Sequence, residues 1–122
     1  MELKELCIGI AKKYEIDSIG LFGSRARGDF HEESDYDIFI IGDIDLKLEL
    51  KLEYDIENKL KSEVDIIKIT NEIDKIFLKN LLNEAIVFYD RNNTFNKVFE
   101  EVNNFFIENS DFIKLRERDL IG

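Results

Sequence analysis

Gly23-Ser24-Arg25-Ala26-Arg27-Gly28, followed by Ser34-Asp35-Tyr36-Asp37-Ile38-Phe39-Ile40-Ile41, is the stretch that decides the fold of this 122-residue chain. Ser18 to Phe22 is a short strand-like run, and Gly23 lets the backbone turn tightly at its end. Ile38 to Ile41 is β-branched and aromatic, the composition of a buried strand. If the extended conformation already includes Asp35 to Asp37, these two side chains lie on one face of the strand, at a rise of about 3.3 Å per residue. Carboxylates held that close repel each other unless one is protonated or a cation lies between them.

Working outward, Asp65 lies in a second strand-like run, Val64 to Ile69. A neighbouring strand, parallel or antiparallel, would bring it beside the pair. Hard oxygen ligands of this type suit Mg²⁺, which takes one or two protein carboxylates and fills its remaining positions with water and substrate phosphates. Three carboxylates could hold two such ions about 3.5–4 Å apart for an in-line phosphoryl displacement. Upstream, the Gly23-Ser24 turn offers backbone N–H groups and a hydroxyl to phosphate oxygens. Arg25 and Arg27 add positive charge. Either can face a phosphate, while the other pairs with Asp29, Glu32 or Glu33.

At these residues the chain resembles the nucleotidyltransferase superfamily of the DNA polymerase β type, and within it the minimal nucleotidyltransferase (MNT) group. The family pattern is a Gly-Ser turn, Asp-x-Asp after a spacer of about ten residues, and a single Asp on a later strand. Gly23-Ser24, Asp35-x-Asp37 and Asp65 meet it, and the resemblance covers roughly residues 1–90. It implies that Asp35 and Asp37 bind two Mg²⁺ ions and that Asp65 completes the catalytic metal site and helps deprotonate the attacking hydroxyl. Gly23 and Ser24 would hold the β- and γ-phosphates of ATP. The aromatic Tyr36, where many relatives carry an aliphatic residue, should point away from the metals.

The rest of the chain predicts a helix over 2–14, strand 18–23, a short helix 24–28, strand 36–41, helix 46–61, strand 64–69, helix 72–83 and strand 85–89. That alternation implies an α/β or α+β fold, a small mixed β-sheet flanked by helices. A nucleotidyltransferase core over residues 1–90 is followed by a helical extension over 91–122.

Segment 46–61 is ambiguous. Leu46, Leu48, Leu50, Leu52, Tyr54 and Ile56 alternate with charged residues as in a strand, whereas the Leu, Lys and Glu content favours helix. The family places a helix here. Two residues turn a helix by about 200°, so Leu48, Leu52, Ile56 and Leu60 form one stripe and Leu46, Leu50 and Tyr54 lie nearly opposite. The second row is either a partner or dimer surface, or belongs to an irregular start that tucks into the core.

In the extension, Phe95, Val98, Phe99, Val102, Phe105, Phe106, Phe112 and Ile113 recur at helical spacing, with Ser110 or Asp111 placed to cap a last short helix. This stripe either packs on its own domain or supplies a docking face.

Composition narrows the partners. Acidic side chains outnumber basic ones 27 to 17, a formal net charge of −10. That balance opposes a long nucleic-acid footprint and suits a basic protein partner. Cys7 is alone, which excludes a disulfide framework within the chain; its place in an apolar helical stripe makes it a small core residue. His31, in the polar connector before the carboxylates, is a solvated loop residue. No apolar run reaches the ~20 residues needed to span a bilayer, and a cytoplasmic location with no membrane role is expected.

The MNT resemblance further implies an antitoxin paired with a helical HEPN RNase toxin, onto whose tyrosine hydroxyl AMP is transferred from ATP. Two alternatives remain: nucleotide transfer to a small hydroxylated molecule such as an aminoglycoside, with an acceptor pocket completed by a homo-oligomer, and a non-catalytic antitoxin that acts by binding.

Overall fold

A computed structural model describes residues 2–110. Its elements are α1 (Glu2–Lys13), β1 (Ser18–Phe22), α2 (Ser24–Arg27), β2 (Tyr36–Ile41), α3 (Leu46–Leu60), β3 (Val64–Lys68), α4 (Lys75–Glu84), β4 (Ile86–Asp90) and α5 (Thr94–Glu108). Four strands form one mixed sheet in the order β3-β2-β1-β4. β1 is antiparallel to both of its neighbours, and β2 and β3 run parallel, joined through α3.

The alternation of side chains along the strands sends successive residues to opposite faces. On one face Ile19, Leu21, Ile38, Ile40 and Val64 meet Leu3, Cys7, Ile10 and Ala11 of α1 and Leu52 and Ile56 of α3. On the other, Phe22, Phe39 and Ile41 meet Leu78, Leu81 and Leu82 of α4 and Val102 of α5. Cys7 is fully buried, and burial pushes its thiol up to about 12, so it is core and carries no thiolate. Gly20 permits the tight contact between β1 and its neighbours: a Cβ there would lie 2.6 Å from the Phe39 ring and also strike the Ile86 carbonyl.

Helix starts follow capping chemistry. The Leu48 N–H donates to Asp45 Oδ1 at 2.9 Å at the head of α3, and the N–H groups of Ile76 and Phe77 donate to Asp74 Oδ1 at 2.8 and 3.0 Å at the head of α4. The Asp74 cap is why α4 begins at Lys75, three residues later than the expected 72. Segment 46–60 is helical from its first residue, which removes the irregular start as an option. Leu52 and Ile56 are buried, while Leu46, Leu50 and Tyr54 stay 56–67% exposed, as the 200° turn between the two rows requires.

The aromatic stripe of α5 packs back on its own sheet. Phe95, Val98, Phe99 and Phe106 close over the α4 face, and the Phe95 ring lies 5.8 Å from that of Phe39. The expected last short helix, with its Asp111, Phe112 and Ile113, lies outside the described residues. Among the described residues no helix is long and apolar enough to cross a membrane.

Candidate active site at the end of strand β1

The candidate residues collect where β1 ends, β2 begins and β3 begins. Antiparallel register sets Phe22 opposite Asp37, and parallel register sets Asp37 beside Asp65. Both carboxylates share the sheet face that carries Phe39 and Ile67, so alternation brings them together without any loop having to place them. Asp35 lies two residues before Asp37 and just outside β2; it is exposed and lines a separate recess with Glu32, Glu33 and Glu63, not the cleft that Asp37 lines. Tyr36 faces the opposite side, packed against the α1–α3 core.

Gly23 holds φ at 75°, a conformation that favours glycine, and a Cβ there would strike the Asp37 carboxylate. The turn can therefore lie directly against Asp37 only because residue 23 has no side chain. A cleft of about 320 Å³ opens at this point, lined by Phe22, Gly23, Ser24, Arg27, Asp37, Phe77, Asn80, Leu81 and Glu84.

The two arginines of the motif part company. Arg27 lines the cleft and donates to Glu84 Oε2 at 2.9 Å and to Asp29 Oδ2 at 3.2 Å. Arg25 faces away from the cleft: its guanidinium stacks over the rings of Phe30 and Tyr36, 4.4 and 4.2 Å from their centroids, and donates to the Ser34 carbonyl at 2.9 Å. A further bond runs from Arg25 to the Glu32 carbonyl at 3.3 Å. Arg25 thus braces the connector that leads into Asp35. His31 lies in that connector, exposed, with its backbone N–H donating to Ser34 Oγ at 3.0 Å.

Electrostatics mark Asp37 as the strained member. Its pKa is raised, first by desolvation, then by the charges of Asp65, Asp35 and Glu84, with Arg27 partly offsetting them. Three acidic neighbours and partial burial disfavour its anion, and a bound cation would relieve that repulsion. Among the described residues no group of three acidic, His or Cys side chains is drawn close enough to form an ion cage by itself. Mg²⁺ is ordinarily held by one or two carboxylates together with substrate phosphates and water, a donor set of the kind Asp37 and Asp65 offer. Asp37 and Asp65 are the carboxylates the register brings together, with Asp35 two residues before Asp37.

Sequence reasoning passed over Glu84, Asn80 and Phe77, which line the cleft from α4. One signal for Glu84 was present: it is the last residue of a helix, where the macrodipole opposes a negative charge. An anion retained in such a place indicates a partner elsewhere in the fold.

Comparison with known proteins gives the geometry a lineage. A protein of Methanocaldococcus jannaschii that bears the provisional name protein adenylyltransferase is 40% identical over 96 residues, spanning 71% of this chain and 94% of its own. The fold matches a chain of a toxin-antitoxin crystal structure with AMP-PNP at a TM-score of 0.81, with 15% identity and 98% of each chain covered. It also matches a chain of a complex between tri-AMPylated Shewanella oneidensis HEPN toxin and MNT antitoxin, at a TM-score of 0.74 and 13% identity, covering 98% of this chain and 96% of that one. The model of the polymerase β nucleotidyltransferase family matches residues 5–94, which hold the Gly23-Ser24 turn and all three carboxylates. This chain belongs to the polymerase β nucleotidyltransferase family.

Proposed function

We propose that this nucleotidyltransferase transfers AMP from ATP to a protein hydroxyl, with a tyrosine of a HEPN-type toxin as acceptor, and so serves as the antitoxin of a cytoplasmic toxin-antitoxin pair. The observation that carries the reading is the convergence of Asp37 and Asp65 on one sheet face directly against the Gly23-Ser24 turn. Support for the protein acceptor comes from the name of the M. jannaschii relative, and support for the HEPN partner from the tri-AMPylated complex that shares the fold. The net charge of −10 favours a basic partner surface over a polyanionic substrate.

In this reading Gly23 and Ser24 form the turn that receives the β- and γ-phosphates, and Arg27, already in the cleft, adds positive charge to it. Arg25 contributes indirectly, by holding the connector that presents Asp35. Two Mg²⁺ ions, held by Asp35, Asp37 and Asp65, would neutralise charge building on the transferred phosphoryl group and the departing pyrophosphate. Asp65, exposed beside Asp37, accepts the proton of the attacking tyrosine hydroxyl. The new bond joins the tyrosine oxygen to the α-phosphorus, the bond from that phosphorus to the β-phosphate bridging oxygen breaks, and pyrophosphate leaves along the Gly23-Ser24 turn.

Intact-mass spectrometry of the protein with its co-expressed neighbour protein, incubated with Mg²⁺ and each nucleoside triphosphate in turn, tests the proposal. The expected result is a mass gain of one or more AMP units on the neighbour with ATP, abolished in the Asp35→Asn/Asp37→Asn double variant. A stable complex without any mass gain would replace catalysis with neutralisation by binding. Transfer to small alcohols without a protein acceptor would reassign the substrate.

A further inference from the structure

Gly23, Ser24, Arg27 and the carboxylates all have parts in that reading, and Glu84 has none, although it bonds both the Gly23 backbone and the Arg27 side chain. One carboxylate oxygen of Glu84 receives the Gly23 backbone N–H at 2.8 Å, and the other receives Arg27 Nη1 at 2.9 Å. We propose that Glu84 is a positioning residue for the nucleotide, acting through Gly23 and Arg27 to set the shape of the phosphate cradle.

The two partners stand at either end of α2: Gly23 is its cap residue and Arg27 its last. A helix of four residues has too few internal hydrogen bonds to hold its own orientation, and α2 contributes no buried residue to the core. Ala26 packs partly against the α1–α3 core and Arg25 is tied to the connector, and Glu84 grips both ends of α2 from 61 and 57 residues away in the chain. The grip also selects donors. With the Gly23 N–H committed to Glu84, the Gly23–Ser24 backbone is fixed so that the next donors, the Ser24 N–H and hydroxyl, are the ones left for phosphate oxygens. Arg27, although about half exposed, is held by Glu84 on one side and Asp29 on the other.

The position is otherwise unfavourable to a carboxylate. Glu84 ends α4, where the helix macrodipole repels an anion, and it lies close enough to Asp37 to raise the local negative charge. Charge-assisted hydrogen bonds to a backbone N–H and a guanidinium are the compensation the structure shows.

The inference rests on the nucleotidyltransferase reading of the cleft, and direct binding separates the two without an acceptor. The full chain in Mg²⁺ is titrated with a non-hydrolysable ATP analogue and with AMP by calorimetry, alongside Glu84→Gln and Glu84→Ala, each checked for folding by its melting curve. Glu84→Gln keeps an acceptor for the Gly23 N–H but removes the carboxylate charge and turns an NH₂ donor toward Arg27, so it serves even where Glu84→Ala does not fold. The expected result is a Kd for the triphosphate analogue raised about tenfold in Glu84→Gln and about a hundredfold in Glu84→Ala, with AMP affinity unchanged to within about twofold. AMP lacks the two phosphates the cradle receives, so a selective loss distinguishes positioning from general damage to the fold. Unchanged or tighter binding of the analogue, or an equal loss for AMP, would overturn the proposal. A wild-type chain that binds neither nucleotide would overturn the nucleotidyltransferase reading itself, and the role of Glu84 with it.

Discussion

The two faces of the sheet are built from the same strands and put to different uses. Toward α1 and α3 a buried apolar cluster running from Leu3 to Val64 covers the sheet, and the charged residues Glu5, Lys13, Asp55 and Lys59 line a cleft outside it, between the two helices. Toward α4 and α5 the apolar packing stops short of the β1–β2 end, where Asp37, Glu84 and the Gly23 turn take its place. The difference teaches that the site is a deliberate gap in the second core layer: carboxylates occupy positions that apolar residues hold one step further along the same strands. Substitutions on the closed face should therefore cost stability, and substitutions at the gap should cost chemistry.

The strongest way to break that contrast is Asp37→Asn. Transfer activity should fall by about 10³-fold or more, since the variant removes a charge that acts at the reacting phosphate. Stability should move the opposite way. The pKa of Asp37 is raised in the fold by burial and by Asp65, Asp35 and Glu84, so the native state binds its proton more tightly than the unfolded chain does. Wild-type stability from this group is present below the unfolded carboxylate range of about 4 and is lost as pH rises through the folded value. In thermal melts without divalent cations, Asp37→Asn should therefore melt above wild type at pH 7, and the gain should shrink toward pH 4. Adding Mg²⁺ should raise the melting temperature of wild type and leave that of the variant nearly unchanged. A variant that melts below wild type at pH 7 without metal would show that Asp37 is structural.

On the closed face, Leu52→Ala should cost about 2–5 kcal/mol in urea unfolding, with the turnover of the folded fraction unchanged. A loss of turnover at full folding would show that α3 shapes the site, and the contrast between faces would fail. Arg25→Ala sharpens the boundary of the gap. Because Arg25 acts only through the connector before Asp35, activity should drop roughly tenfold, a fraction of what losing a group at the reacting atoms costs, and the KM for ATP should move less than kcat. Leu50→Glu should have the smallest effect, within about 0.5 kcal/mol of wild type for the isolated chain, because its side chain is largely in solvent. A larger loss would mean that the exposed row of α3 has a covering on this face.

Legibility in the sequence followed the range of the forces involved. Strand β2 was read at its true bounds, because Ile38-Phe39-Ile40-Ile41 is apolar on both faces and needs two covering layers. The helix over 46–60 was read correctly only with the help of the family pattern, since its alternation of Leu with charge is also a strand signature. Arg25 and Arg27 could not be told apart: both are two-residue neighbours in one motif, and only the fold shows one stacked on Phe30 and Tyr36 and the other in the cleft.

Local chemistry was settled by the order of residues along the chain. The Gly-Ser turn, the apolar run that makes β2 a strand beginning just after Asp35, and the apolar stripes of α3 and α5 depend on neighbours a few positions away, and a linear reading reaches them. Tertiary structure decided everything that needs two distant segments in register: the parallel pairing that sets Asp65 beside Asp37, the closing of the α5 aromatics over Phe39, and the grip of Glu84 on Gly23 and Arg27. Such contacts are invisible in sequence because the partners meet only after the sheet has formed, and their energies depend on distances that no local pattern encodes.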